Sequence, residues 1–333
     1  MRRAVYLLVL LATIPANAET LLLVANKQDA TVMVIDPASA RTLATLPTGQ
    51  GPHEIAASPD GKTAVIADYG NQGNDGKTLT VIDLDARKVA RTIDLGDYRR
   101  PHGLAFLPGG KELLATVEKN QAVIVVDVQG GKVLRSIATQ EAGTHMVALA
   151  RDGKRAWTTN IPAGTVSLLD IAAGKLVKTA AVGPQVEGLA LTPDGKELWV
   201  GSNEGDKVSV LDAATLEERH SMPAAGVPIR VTATPDGKHM LVTNANGGKL
   251  QIVDAAKRKV VGVVEFPWDA AKSPPGAPPS AVPIGTVVTP DSKTAYVSLM
   301  VAGKVAVVDL PSRKITGYFT TGAHPDGIAL AVR

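Results

Sequence analysis

Between His53 and Leu95 the chain reads HEIAASPDGKTAVIADYGNQGNDGKTLTVIDLDARKVARTIDL. Four short apolar, β-branched segments alternate there with turn formers: His53 to Ser58, Thr63 to Asp68, Leu79 to Asp83 and Val89 to Leu95. Pro59-Asp60-Gly61 makes the first break a tight turn, because Pro presets φ and Gly accepts a positive φ. No segment sustains a 3.6-residue apolar period, so the unit reads as four strands.

Working outward, the triplet Val81-Ile82-Asp83 recurs as Val34-Ile35-Asp36, Val125-Val126-Asp127, Leu168-Leu169-Asp170, Val210-Leu211-Asp212, Ile252-Val253-Asp254 and Val307-Val308-Asp309. Successive aspartates lie 47, 44, 43, 42, 42 and 55 residues apart. Seven such units predict radial repetition: an all-β, seven-bladed β-propeller of four-stranded antiparallel blades over residues 19–333. The tight turn recurs at Pro108-Gly109-Gly110, Arg151-Asp152-Gly153, Pro193-Asp194-Gly195, Pro235-Asp236-Gly237 and Pro290-Asp291-Ser292. One unit is split between the ends. Leu21 to Ala25 is a second strand lacking an inner strand, and Gly327 to Val332 an inner strand lacking partners. These two should pair and close the ring, leaving no open edge.

The strands Leu241-Val242-Thr243-Asn244, Ala295-Tyr296-Val297-Ser298 and Trp157-Thr158-Thr159-Asn160, each after such a turn, resemble the YVTN-type β-propeller repeat family. The resemblance covers essentially all of residues 19–333 and implies the propeller fold. That family is similar, at greater distance, to propeller lactonases, the propeller domain of nitrous oxide reductase and plain binding scaffolds. The resemblance therefore implies no single chemistry.

Composition narrows the classes further. The 333 residues are 45% hydrophobic and 20% charged, which is globular and excludes a disordered or collagen-like chain. Aromatics are only 3%, with 32 Gly and 22 Pro, as expected of small flat strands joined by turns. With no Cys there is no disulfide, thiolate nucleophile, Cys-ligated metal or C-x-x-C-H haem attachment. A net charge of +3 without any Lys/Arg run excludes nucleic acid as a partner. P-loop, dinucleotide and G-x-S-x-G motifs are missing too. At the N-terminus, Arg2 and Arg3 precede the apolar run Ala4 to Ala12, and Ala16-Asn17-Ala18 follows. That pattern predicts a secretory signal peptide over residues 1–18 and a periplasmic or secreted monomer. The run is about half the roughly 20 residues a membrane span needs.

Stacking the units on their tight turns yields one informative column at the start of each innermost strand: His53, His102, His145, Glu187, Ile229, Ile284 and Asp326. These residues should ring one mouth of the central channel. Asp326, His53, His102, His145 and Glu187 come from five consecutive blades, and all are metal-ligand types that suit Zn, Cu, Fe or Mn. A solvated polar mouth and metal-free acid/base chemistry remain open beside metal binding.

The other half of the mouth is apolar at Ile229 and Ile284. The 55-residue spacing places an insertion at residues 266–283, with Trp268 and Pro267, Pro274, Pro275, Pro278, Pro279 and Pro283, expected to be stiff and extended. It forms either a lid that sets Trp268 on a ligand or a spacer whose Trp268 packs on a blade. Arg100 and Arg230, with Arg99, lie where they could hold a carboxylate or phosphate. Gly70 to Gly76 resembles part of a calcium loop but lacks its acidic ligands, and reads as a long hairpin. His324 is an additional ligand candidate; His220 and His239 fall outside the column. Two functions follow: a binding or scaffold propeller for a metal, a small ligand or a periplasmic protein partner, or a lactonase-like or lyase-like enzyme at the same mouth.

Overall fold

The computed structural model describes residues 19–273, 275–276 and 278–333; the expected signal peptide 1–18 and Pro274 lie outside the described residues. Seven four-stranded sheets form the predicted propeller. Blade 1 consists of strands Pro52–Ala57, Thr63–Asn71, Asn74–Asp83 and Lys88–Asp94, antiparallel and hydrogen-bonded in chain order. The inner strands of blades 2 to 6 are Pro101–Phe106, Thr144–Leu149, Val186–Leu191, Pro228–Ala233 and Pro283–Val288. Blade 7 takes its inner strand, Pro325–Val332, from the C-terminus and its other three from the N-terminal segment. Thr20–Asn26 pairs with it from Thr20↔Val332 to Asn26↔Pro325, so the ring closes as the split unit requires.

The invariant aspartate of the repeat now has a cause. Each of the seven accepts a backbone N–H two or three residues on, as Asp83 does from Ala86 at 2.9 Å and Asp127 from Gly130 at 2.7 Å. This Asx turn sends the chain into the outermost strand. The second and third strands are buried on both faces because each blade packs against two others. Seven buried clusters result, one per blade interface; Val65, Leu79 and Ile93 of blade 1, for example, meet Leu113, Ile124 and Val126 of blade 2. Outermost strands such as Lys88–Asp94 are mostly exposed instead, with Val89 half-buried and Ile93 buried.

Two short 3-10 turns interrupt the strands among the described residues. The first, Glu118–Asn120, follows the second strand of blade 2. The second, Ala270–Lys272, corrects the expectation of a wholly extended insertion: the Asp269 side chain caps it by accepting the Ala271 N–H.

Candidate functional site

Three repeated devices aim the column residues. Five of the seven inner strands open on proline, a strand position where the missing N–H costs no ladder bond. The residue just before each inner strand has a positive φ: Gly51, Arg100, Gly143, Gln185, Val227, Val282 and His324. Its carbonyl accepts the N–H of the residue just past the second strand's last pairing with the inner one, at 2.9–3.2 Å in all seven blades. Immediately afterwards comes a bulge. In six blades two inner-strand residues oppose a single partner residue, as His53 and Glu54 oppose Ala67 between the pairs Pro52↔Asp68 and Ile55↔Ile66. A two-against-one bulge bends the strand and re-aims the side chain, here into the channel mouth.

Hydroxyls opposite the bulges then tie neighbouring blades together. Thr116 Oγ1 accepts the Gly103 N–H at 2.8 Å and donates to the His145 carbonyl. Thr159 does the same for Met146 and the Glu187 carbonyl, and Ser298 for Gly285 and the Asp326 carbonyl. The close approach explains the glycine after the column residue in four blades. A Cβ on Gly327 would sit 1.8 Å from the His53 carbonyl oxygen, and one on Gly103 2.7 Å from that of His145.

The predicted ring forms, and His53, His102, His145 and Asp326 are all buried. The three imidazoles stand in a row, with ring centroids 5.0 Å apart for His53 and His102 and 3.6 Å for His102 and His145. Asp326 lies 3.9 Å from His53 Nε2, and Glu187 Oε1 is 3.3 Å from His145 Nε2.

A second ring, missed by the sequence reading, supplies the partners. It consists of the residues whose N–H meets the positive-φ carbonyl: Lys27, Tyr69, Glu118, Ile161, Asn203, Ala245 and Met300. Glu118 binds His145 Nδ1 through one oxygen and accepts the Tyr69 O–H at 2.6 Å through the other. Asn203 donates to Glu187 at 2.7 Å, and Lys27 lies 3.5 Å from Asp326. In six blades these residues stand nine positions before the repeat aspartate, a signal present in the sequence. Tyr69 escapes that spacing because its hairpin is longer.

The electrostatics separate the three histidines. Burial pushes His53 down to about 4 and His102 well below its usual value, so both are neutral. Burial opposes charge on His145 as well, yet bonds to Glu118 and Glu187 carry it up to about 9. Burial would raise Glu187, but His145 and Arg230 hold it down at about 2. His102 Nδ1 and Asp326 Oδ1 are buried with no hydrogen-bond partner among the described residues. His102, Glu118 and His145 each offer a ligand atom within 4.8 Å of the others. The His102 and His145 rings are tilted by 32° to each other.

Other expected ligand residues take different places. Arg230 is a correction: it is buried and spans the channel, donating to Glu187 at 2.9 Å and pairing with Glu54 of blade 1, so it plugs the channel instead of facing a ligand. Trp268 is a spacer anchor. It packs on the cluster between blades 5 and 6, and its indole N–H donates to Ser273 at 2.9 Å. Ile229 and Ile284 meet in an apolar patch with Val227, Ala245, Val282 and Met300. Arg100 is half-buried, pairs with Asp75 and donates to the Tyr69 hydroxyl at 3.0 Å. Gly70 to Gly76 forms the long hairpin expected of it.

With fold and site in view, the relatives of the chain can be placed. A propeller chain of Kuenenia stuttgartiensis hydrazine synthase superimposes with a TM-score of 0.74 at 19% identity, covering 87% of this chain and 92% of that one. A functionally unknown protein from Desulfotomaculum acetoxidans gives a TM-score of 0.75 at 14% identity, covering 93% and 98%. At such identities the likeness speaks for the fold alone. No curated protein matches the sequence. The sequence profile of the choice-of-anchor I domain matches residues 109–325, so the chain belongs to the choice-of-anchor I domain family.

Proposed function

We propose that this protein is an exported binding or scaffold propeller that holds one divalent metal ion at its channel mouth through His102, Glu118 and His145. The observation that carries the reading is the buried Nδ1 of His102, which has no partner and lies in the one group of three ligand residues found among the described residues. A buried imidazole nitrogen without a partner costs about 1–3 kcal/mol, a cost that a metal bond removes. Two imidazoles and a carboxylate suit Zn²⁺, Cu²⁺, Fe²⁺ or Mn²⁺ and leave a position open for an exogenous ligand. Around this set, Tyr69 and Glu187 act as outer partners that orient Glu118 and His145. Export rests on residues 1–18, and no described helix is long and apolar enough to cross a membrane. The units read as YVTN-type repeats, a reading supported by strands such as Leu241 to Asn244.

Elemental analysis of protein purified without an affinity tag, followed by Zn²⁺ and Cu²⁺ titration after chelator stripping, tests the proposal. One ion per chain is expected, lost in a His102→Ala/His145→Ala double variant. Absence of stoichiometric binding by either ion would overturn it.

A further inference from the structure

A groove of about 480 Å³ opens beside the histidine row, between blades 7 and 1. Its volume falls within the range of small-molecule sites. Two features mark it. First, one wall is purpose-built. The second and third strands of blade 1 are nine and ten residues long, where the corresponding strands of blades 2 to 6 have six, and the extension contributes Asn71 and Gln72 to the lining. Second, the lining has no carboxylate and no aliphatic side chain. It presents Lys27 and Arg100, the amides Gln28 and Gln50 besides those of the hairpin, the Tyr69 ring and His324.

Carboxylates outside the lining steady both cations. Asp326, itself buried, lies 3.5 Å from Lys27 Nζ, and Asp75 pairs with the Arg100 Nε. Arg100 is further fixed by the Tyr69 hydroxyl and by sitting 4.9 Å from the centre of the Tyr69 ring. An ammonium offers three N–H donors and a guanidinium five. Lys27 commits one to Asp326, and Arg100 commits three to Asp75, Tyr69 and the Asn71 carbonyl. The remaining donors, held in place beforehand, require no ordering when an anion arrives. A neutral sugar is less well served, because sugar sites offer an aromatic face for stacking. The Tyr69 ring is packed against His53 at 4.3 Å and lies under Arg100.

We infer that this groove binds a small polar organic acid, with its carboxylate between Lys27 and Arg100 and its hydroxyl or further carboxylate groups on the hairpin amides. The site stands independently of the metal centre, although Tyr69 walls one and hydrogen-bonds Glu118 of the other.

Isothermal titration of chelator-treated protein with L-malate, succinate, citrate and inorganic phosphate, with glucose as the neutral comparator, tests it. At least one of the organic acids should bind with a Kd of about 1 mM or tighter. Lys27→Gln should weaken that binding about tenfold, as should raising the salt, while still taking up zinc to the same stoichiometry as the parent. Arg100→Gln should weaken it likewise, and the near-ultraviolet spectrum reports whether Tyr69 has kept its packing. The inference falls if no organic acid binds, if glucose or phosphate alone does, or if Lys27→Gln leaves the affinity unchanged. Because the titration uses metal-free protein, either result is distinguishable from the fate of the metal reading.

Discussion

Asp68 is a carboxylate at a position where three other blades carry asparagine, and replacing it should stabilise the protein at neutral pH. The side chain is only 1% exposed, and burial pushes its carboxyl up to about 6 from 3.8 despite bonds from Thr78, Thr80 and the Gly49 N–H. A carboxyl whose pKa is raised by folding contributes its stability below the unfolded value and loses it as the pH rises through the folded one. The difference corresponds to about 3 kcal/mol of penalty above pH 7. Asn26, Asn160 and Asn244 occupy the equivalent register in blades 7, 3 and 5. Asn26 accepts the Gly322 N–H at 3.1 Å and donates to Thr31 at 3.0 Å, the same two neighbours that Asp68 meets as Gly49 at 3.0 Å and Thr78 at 2.7 Å. Asp68→Asn therefore keeps the hydrogen bonds, with the Thr78 hydroxyl turned to accept, and removes the ionisation. Urea denaturation of both proteins from pH 4 to pH 8 should give a stability gap near zero at the acid end that grows to about 2–3 kcal/mol in favour of the variant at pH 8. A gap that does not change with pH, or a variant weaker than its parent at pH 8, would refute the reasoning.

Two further variants probe the devices around the mouth. Arg230→Met leaves the carboxylates of Glu54 and Glu187 facing each other with no cation across the channel, and should cost about 3–5 kcal/mol in denaturation, with part of the loss recovered by adding Glu54→Gln. No loss would mean that the cross-channel pair is dispensable. Thr116→Val strands the buried Gly103 N–H and frees the His145 carbonyl, for about 1–3 kcal/mol of stability, and should weaken zinc about tenfold through loss of orientation. Thr116→Ser should restore both, and a valine variant with parental zinc affinity would remove the positioning role.

The architecture was legible because a propeller blade is built from local signals: a turn triplet, a closing aspartate and β-branched strands between them. Each signal depends on neighbours a few residues away, as the Asp83 to Ala86 bond illustrates. The column from His53 to Asp326 was legible for the same reason, since the turns fix the register of every inner strand. What escaped was set by distance. Arg230 was expected to face a ligand because its true partner, Glu54, is 176 residues away across the channel. Glu118 was overlooked although it carries the contact to His145, because it belongs to a column indexed from the aspartates and not from the turns. Trp268 sat in a segment whose composition suits a lid and an anchor equally, and only the packing against blades 5 and 6 decides between them.

Symmetry accounts for where the site is, and its violation for what the site contains. All seven blades share the positive-φ carbonyl clamp, so each presents one inner-strand side chain and one side chain from the end of the second strand to the mouth. If that geometry were all that mattered, residue types would recur around the ring. They divide instead: blades 5 and 6 present Ile229, Ile284, Ala245 and Met300, while blades 7, 1, 2, 3 and 4 present charged, imidazole, phenol and amide groups, with Ile161 the exception. Among the described residues, the elongated second hairpin belongs to the polar arc, in blade 1, and the long connection before an inner strand adjoins the apolar one, in blade 6. Burying four carboxylates, an arginine and three imidazoles around one opening opposes folding, since ions and unpartnered polar groups pay a desolvation cost that apolar residues at these positions would avoid. The stability of the seven apolar interfaces tolerates that cost at one arc of one mouth.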